Sequence, residues 1–237
     1  MSADYKSNEG YCVICENQAI FVETDEYLRT YYRCSKCNSV PRHRAIVHSL
    51  NVFYPAWREA VIYEPSPGGV SSNYIEKNCI NYTASQFWEG VKPGYAKNGV
   101  RCENLEQLTF PDNCFDIIIT QDVFEHVMNP KEAFKEIARV LKPGGAHFFT
   151  LPWYPQQKTV QRARYENGNL EFLFEPVYHI NPVDVQGSLV TYDWGEDLID
   201  CIYRSSGLTT ITYLEINRNL GLDAEFLHVF ISKKHRD

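Results

Sequence analysis

Four cysteines near the start of the chain are spaced for metal chemistry. Cys12 and Cys15 fall in CVIC, Cys34 and Cys37 in CSKC, and eighteen residues separate the pairs. Each Cys-x-x-Cys turn places two thiolates on one side of a tight loop. Two such turns brought together form a four-sulfur cage that suits tetrahedral Zn²⁺ and leaves no open coordination position. A closed site of this kind does no hydrolysis. Its job is to fold some fifty residues that are too few to build a core of their own. Two disulfides are disfavoured in a reducing compartment, and a redox dithiol is disfavoured because no βαβ context surrounds either pair. Cys79, Cys102, Cys114 and Cys201 are scattered, mostly beside apolar residues, and read as small buried hydrophobes.

Between the pairs, AIFVETDEYLRTYYR can form a hairpin or two short strands, and residues 1–50 as a whole resemble a zinc ribbon. The segment PRHRAIVHSL (41–50) opens a helix with Arg42, His43 and Arg44. Two readings stand for these cations: a solvated helix start paired with nearby carboxylates, or a contact for an anionic group near a substrate mouth.

A second set of polar residues recurs at the ends of apolar runs. VIYEPSPGG (61–69) runs a strand into Glu64 and then into a turn of Pro, Ser and Gly. Ser85 and Gln86 follow CINYTAS, Glu103 and Asn104 close GVRCEN, and Gln121 and Asp122 close FDIIITQD. In an open parallel sheet, ligands bind beyond the carboxyl ends of the strands. Four polar strand ends would form such a rim, although a solvated rim would look similar.

The elements that must position this rim alternate strand and helix from residue 60 onward. AVIYE (60–64), CINYTAS (79–85), GVRCEN (99–104), FDIIITQD (115–122) and AHFFTLP (146–152) read as strands. VSSNYIEK (70–77), NPKEAFKEIARVLKPGG (129–145) and WGEDLIDCIYRSSGL (194–208) read as helices. In the second helix Asn129 can cap, Pro130 suits the first turn, and Ala133, Phe134, Ile137, Val140 and Leu141 form one apolar stripe. TTITYLEI (209–216) and EFLHVFISKK (225–234) are the closing strands. This rhythm predicts an α/β fold, a mostly parallel sheet with helices on both faces. The exception is 153–193, a long aromatic and polar insertion of the kind that usually serves function or is ordered by a ligand.

Bulk composition agrees with one such domain, residues 51–237, plus the small cysteine module. The chain has 237 residues, 44% of them hydrophobic, and a net charge of −7. That balance disfavours broad attraction to nucleic acid or anionic lipid. No apolar run approaches the roughly eighteen residues that span a bilayer, and the polar start MSADYKSNEG lacks a signal-peptide core. The expectation is a soluble cytoplasmic protein without membrane partners.

The run LEQLTFPDNCFDIIITQDVFEHVMNPKEAFKEIARVLKPGG (105–145) resembles the middle of a class I S-adenosylmethionine-dependent methyltransferase. The resemblance covers roughly 58–151 well and 194–234 at the level of topology. It implies a Rossmann-like seven-stranded sheet with a reversed final hairpin. It also implies a role for each rim position. Glu64 would accept a hydrogen bond from the cofactor's amino-acid end, and the turn with Ser66 and Gly68 would let backbone approach. Ser85 and Gln86 would meet the ribose. Glu103, Asn104 and Leu105 would read the adenine, with Gln121 and Asp122 completing the rim. The chain departs from the family at Ser66 and Val70, where glycine is usual, and at Ser85 and Gln86, where a carboxylate is common. A neutral acceptor bonds more weakly than a carboxylate, and Phe87 or Trp88 could compensate by packing on the cofactor.

Methyl transfer is an in-line displacement from sulfur, so the protein's part is alignment, desolvation and, for a hydroxyl acceptor, a base. His179 in VYHINP and His126 after the fourth strand are the candidate bases, the first ranked above the second. Trp153, Tyr154, Arg162, Arg164, Tyr165 and Tyr178 could wall an aromatic or sugar-like acceptor pocket; the alternative is a satellite core under a long loop. QDVF (121–124) lacks the Asn/Asp-Pro-Pro-aromatic run of amino methyltransferases that act on bases or amides, and no Pro-Cys pair is present. The reading is therefore an O- or N-methyltransferase for a small metabolite or sugar-like acceptor. Two alternatives remain: an RNA-modifying enzyme that grips phosphate through the zinc module, and a non-catalytic interaction module.

Overall fold

A computed structural model describes residues 6–181 and 184–236. The first five residues of the polar start lie outside the described residues. The cysteine module is a three-stranded antiparallel sheet of β1 (Ser7–Cys12), β2 (Asn17–Glu23) and β3 (Tyr32–Cys34), with a short helix α1 (Leu28–Tyr31) inside its long loop. Helix α2 (Pro41–Phe53) then starts with proline in its first turn, where a missing N–H costs nothing.

The main sheet holds β4 (Val61–Pro65), β5 (Asn81–Ser85), β6 (Phe115–Gln121), β7 (Leu141–Thr150) and two closing strands, β15 (Thr209–Tyr213) and β16 (Val229–Lys233). Their order is β15-β16-β7-β6-β4-β5. Strands β4 to β7 pair in parallel, and β16 runs antiparallel to both β7 and β15. The reversed hairpin is thus where the sequence resemblance implied it. Helices α3 (Gly69–Asn78), α4 (Pro130–Val140) and α5 (Leu198–Ser206) complete the layers. On α4, Ala133, Phe134, Ile137 and Val140 are fully buried, as their spacing predicts.

One expected strand does not form as such. In GVRCEN only Val100–Arg101 is extended, paired in a small hairpin with Ala96–Lys97, and a single parallel bridge joins Gln86 to Cys102. Gly99 takes a positive φ on one side, and on the other the Asn104 side chain accepts from the Glu106 N–H in a tight turn. The chain between is too short to extend the sheet, which therefore has six strands rather than seven. Two helices are also shorter than expected. Leu141 to Gly145 belong to β7, and Trp194 and Gly195 to a strand of the insertion.

Strand β6 shows why the core has two halves. Ile117 and Ile119 face one apolar cluster and Ile118 the other, as period-two alternation requires. The first cluster runs from Cys12, Ile14, Phe21 and Tyr32 of the cysteine module through Ile46 and Leu50 of α2 to Ile62 and Phe148. Module and main sheet thus share one core. The second cluster contains the buried face of α4, Leu198 and Ile202 of α5, and Trp194. Cys79 and Cys102 are buried, while Cys114 and Cys201 are half-buried.

The insertion is made of short strands. β8 (Trp153–Tyr154) and β9 (Val160–Gln161) flank β14 (Tyr192–Gly195), and two hairpins stand beside them: β10 (Ala163–Glu166) with β11 (Asn169–Phe172), and β12 (Tyr178–Asn181) with β13 (Asp184–Leu189).

Candidate active site

The turn after β4 is built around strained backbone and one buried carboxylate. Ser66 takes φ 53°, and its N–H donates to the Ser85 carbonyl at 2.7 Å, tying the turn to the end of β5. Gly68 is extended, and a Cβ there would meet open space. Gly69 has φ +78°, and a Cβ there would lie 2.6 Å from His43 Nε2. His43, near the start of α2, therefore packs directly on the glycine turn. Burial pushes its imidazole down to about 3.

Glu64 is 1% exposed. Its carboxylate accepts from Ser72 Oγ at 2.7 Å, Tyr82 OH at 2.7 Å and Gln121 Nε2 at 2.8 Å. Three of about four lone-pair directions are taken, and burial holds its pKa above the usual range. In this arrangement Glu64 organises β5, β6 and α3 around the turn.

The other strand ends are similarly engaged. Ser85 is buried, with its hydroxyl 2.7 Å from Tyr63 OH. Glu103 is buried and accepts from Arg101 Nε at 2.6 Å, Thr109 N at 2.9 Å and Thr109 Oγ1 at 2.5 Å. Leu105 is buried beside it. Gln121 accepts from Ser71 Oγ while donating to Glu64. Ser66, Gln86, Asn104 and Gln121 keep partial exposure, and the Phe87 ring is largely exposed next to the end of β5.

Asp122 follows β6 at φ 52° and draws in two arginines. Arg29 Nη2 lies 2.6 Å from its carboxylate and Arg42 Nε 3.4 Å, while Thr150 Oγ1 donates at 2.9 Å. Burial opposes the ionised form, but the arginines prevail and the Asp122 pKa is lowered. Arg44 is fully buried. It donates to the Gly221 and Tyr32 carbonyls and stacks 4.7 Å from the Phe21 ring centroid. Of the three residues in PRHR, then, Arg42 pairs with a carboxylate while His43 and Arg44 support the interior. Arg29 carries no sequence signal of its own, because its partner lies 93 positions away.

Beyond β6, a 3-10 turn, Phe124–His126, is stitched to the insertion. Thr191 donates to the Glu125 and Val127 carbonyls, and Trp194 Nε1 to the Phe124 carbonyl. His126 Nδ1 meets the Leu189 carbonyl at 2.8 Å, which fixes that nitrogen as the protonated one. Glu125 is 2% exposed, and neither of its carboxylate oxygens has a hydrogen-bond partner among the described residues. Burial, reinforced by Asp122, raises its pKa well above the usual range. Together with His179, Tyr154, Arg162, Tyr192 and Asp193, Glu125 lines a cavity of about 390 Å³.

The residues expected to wall the acceptor pocket separate into two groups. Tyr154 and Arg162 line the cavity, the latter held by Asp193 at 2.7 Å. Trp153 instead donates to the Gly195 carbonyl and packs on His228 and Phe230. Arg164 pairs with Glu166 and Glu171 on an outer hairpin, and Tyr165 beside it is exposed. Tyr178 is exposed next to His179. Glu125 has no role among the sequence expectations; its place beside a histidine just past a strand end is the one signal that points to it.

In the module, the four cysteine sulfurs lie within 4.8 Å of one another. Cys12 Sγ to Cys37 Sγ is 3.7 Å and Cys15 Sγ to Cys34 Sγ is 3.8 Å. Tetrahedral sulfurs at about 2.3 Å from zinc would stand about 3.8 Å apart. The residues present fit that ion.

Comparison with known proteins agrees with this architecture. Residues 66–149 match the family described as "Methyltransferase domain". A crystal structure titled as an S-adenosylmethionine-dependent methyltransferase from Mesorhizobium loti superposes with a TM-score of 0.53 at 14% identity, covering 80% of this chain and 98% of that one. A ubiquinone/menaquinone biosynthesis C-methyltransferase of Shewanella pealeana is 34% identical over 90 residues, 38% of this chain and 32% of its own. An uncharacterized methyltransferase of Schizosaccharomyces pombe is 47% identical over 45 residues, 19% of this chain and 16% of its own. The chain thus matches a third or less of the length of these relatives. The fold is that of the class I S-adenosylmethionine-dependent methyltransferases. Within it, residues 66–149 are the part that matches the methyltransferase-domain family. Among the described residues no helix is long and apolar enough to cross a membrane.

Proposed function

We propose that this chain is an S-adenosylmethionine-dependent methyltransferase acting on oxygen or nitrogen of a small metabolite or sugar-like acceptor, with a structural zinc in the Cys12–Cys15–Cys34–Cys37 cage. One observation carries the reading. The glycine turn after β4, the open space above Gly68 and the cavity past β6 all lie at the carboxyl ends of parallel strands. The cofactor, when bound, supplies a methyl group already activated by sulfonium charge. The chain's own residues do the rest. Backbone from Ser66 to Gly68 would approach the amino-acid end, with Glu64 shaping the turn through Ser72 and Gln121. Gln86, Asn104 and the Leu105 backbone would face the adenosine, with Phe87 available to stack. Tyr154 and Arg162 would orient the acceptor, and His179, partly exposed and facing Glu125, would take a proton from an acceptor hydroxyl.

A second reading, a non-catalytic interaction module, is favoured by a specific observation. Glu64, Ser85 and Glu103 spend their hydrogen bonds on the protein itself. An RNA-modifying reading draws less support, because Arg42 pairs with Asp122 and Arg44 is buried. Residues 1–50 and 51–237 remain our division of the chain, with a cytoplasmic site of action.

Titration calorimetry with S-adenosylmethionine and with its demethylated product tests the proposal. Micromolar binding that Gly68→Trp abolishes is the expected result. No heat and no thermal shift at millimolar cofactor would leave the interaction module. Given binding, His179→Ala should lower turnover with cofactor affinity unchanged.

A further inference from the structure

The turn after β6 carries a polar group that methyl transfer uses only in part. A buried carboxylate with no donor at either oxygen is costly, and such groups stay protonated or face a cation. Glu125 is in that position. Two imidazole nitrogens converge on the same oxygen: His126 Nε2 at 4.0 Å and His179 Nδ1 at 3.9 Å from Glu125 Oε1. The three candidate ligand atoms lie within 4.8 Å of one another. His126 is already oriented for the task. Its Nδ1–H is held by the Leu189 carbonyl, which leaves the Nε2 lone pair facing Glu125, and a backbone partner on the far nitrogen is how metal-ligating histidines are usually fixed. The two rings meet edge to face, 5.1 Å apart at 89°, so neither covers the other.

We propose that Glu125, His126 and His179 bind a divalent first-row transition ion at the side of the cavity that Glu125 and His179 line. Two imidazoles and one carboxylate form a borderline donor set that suits zinc, cobalt, iron or manganese better than calcium or magnesium. Donors at about 2.0–2.2 Å from such an ion stand about 3–3.5 Å apart in tetrahedral or octahedral geometry. Each carboxylate–imidazole separation must close by about 0.5–1 Å to reach that range. His179, whose side chain is 42% exposed on the β12–β13 hairpin, can move toward Glu125. Glu125 and His126 must approach each other by side-chain rotation, because the Phe124–Val127 backbone is pinned by Thr191 and Trp194. The charges around the site are Asp122 with Arg29 and Arg42, and Asp193 with Arg162, so an added cation would rely on the Glu125 carboxylate itself for its counter-charge. Three protein ligands leave open positions toward the cavity. If the methyl-transfer reading holds, those positions would take an oxygen of the acceptor, and the histidines would serve as ligands rather than as bases.

The test uses the full chain with its cysteine cage loaded with zinc. The protein is titrated with Co²⁺, followed by calorimetry and visible absorption, and bound metal per chain is measured after dialysis. The expected result is a second equivalent whose spectrum has weak ligand-field bands and no sulfur-to-cobalt charge transfer. His179→Ala and Glu125→Gln should each weaken that equivalent about tenfold or more while the first equivalent of zinc is retained. Should Glu125→Gln fail to fold, His179→Ala on the exposed hairpin still decides the matter. Binding that stops at one equivalent, variants that bind like the parent, or cobalt that enters only with sulfur charge-transfer bands would each overturn the site. None of these readouts depends on methyl transfer, so the failure of one proposal leaves the other standing.

Discussion

The guanidinium of Arg29 stands 2.6 Å from the carboxylate of Asp122, bonding a residue between the two cysteine pairs to the residue just past the sheet's central parallel strand β6. Arg29 also donates to the Phe226 carbonyl and is almost wholly buried. Removing one partner of such a pair strands the other charge away from water. Arg29→Met should therefore destabilise the fold by about 2–3 kcal/mol, below the range for fully buried pairs because the Asp122 side chain keeps 25% exposure. The double variant Arg29→Met, Asp122→Asn should cost less than the sum of the singles. Urea midpoints on zinc-loaded protein measure this, and additive losses would mean that the two residues act separately.

Ser66 holds, at φ 53°, a left-handed backbone that glycine would adopt freely. An L-residue in that region costs about 1–2 kcal/mol. Ser66→Gly should thus raise stability by up to about 1 kcal/mol, after allowing for glycine's greater unfolded-state entropy. Gly69→Ala should do the reverse by a larger amount, because it adds a Cβ at positive φ against the His43 ring. Thermal melts of the two variants should move in opposite directions.

These turns also mark what the sequence could reveal. The sheet, the closing hairpin, the apolar stripe of α4 and the cysteine cage were legible because each is a local pattern of period or spacing. The use made of the rim carboxylates was not. Glu64 and Glu103 read as ligand acceptors, yet each is satisfied by donors supplied from elsewhere in the fold, Tyr82 and Gln121 for the first and Arg101 and Thr109 for the second. Arg29–Asp122 and Glu125–His179 join residues far apart in sequence. No periodicity encodes such contacts, and only the closed fold brings them together.

His147 lies inside β7 with no exposure, its Nε2 2.9 Å from Thr120 Oγ1, and burial pushes its pKa down to about 3. An unfolded chain takes up that proton near pH 6.5, whereas the folded one resists. The stability due to this group is fully present above about pH 6.5 and is lost as the pH falls toward about 3. Between pH 7 and pH 5 the loss is about 2 kcal/mol. Glu125, with a raised pKa, works in the opposite sense. The His147→Gln variant should therefore show a flatter decline of urea midpoint over that interval than the parent. Equal slopes would mean that His147 does not set the acid limit.

The shared core makes a last prediction about the cysteine cage. Cys12, Phe21 and Tyr32 pack in the same cluster as Ile62, Ile117 and Phe148 of the main sheet. With zinc in the cage, binding energy to the folded thiolates is folding energy for the module. If the module were a separate bead, a chelator would melt it alone and leave the sheet's transition in place. A continuous core predicts otherwise. Chelation should remove Arg29 from Asp122 and expose the α2 face, so that one cooperative transition moves down by about 10 °C or more, as expected for a loss of roughly 3 kcal/mol or more in a chain of this size. Scanning calorimetry with and without chelator decides between them, and an upper transition that stays put would show that the two parts fold independently despite their packing.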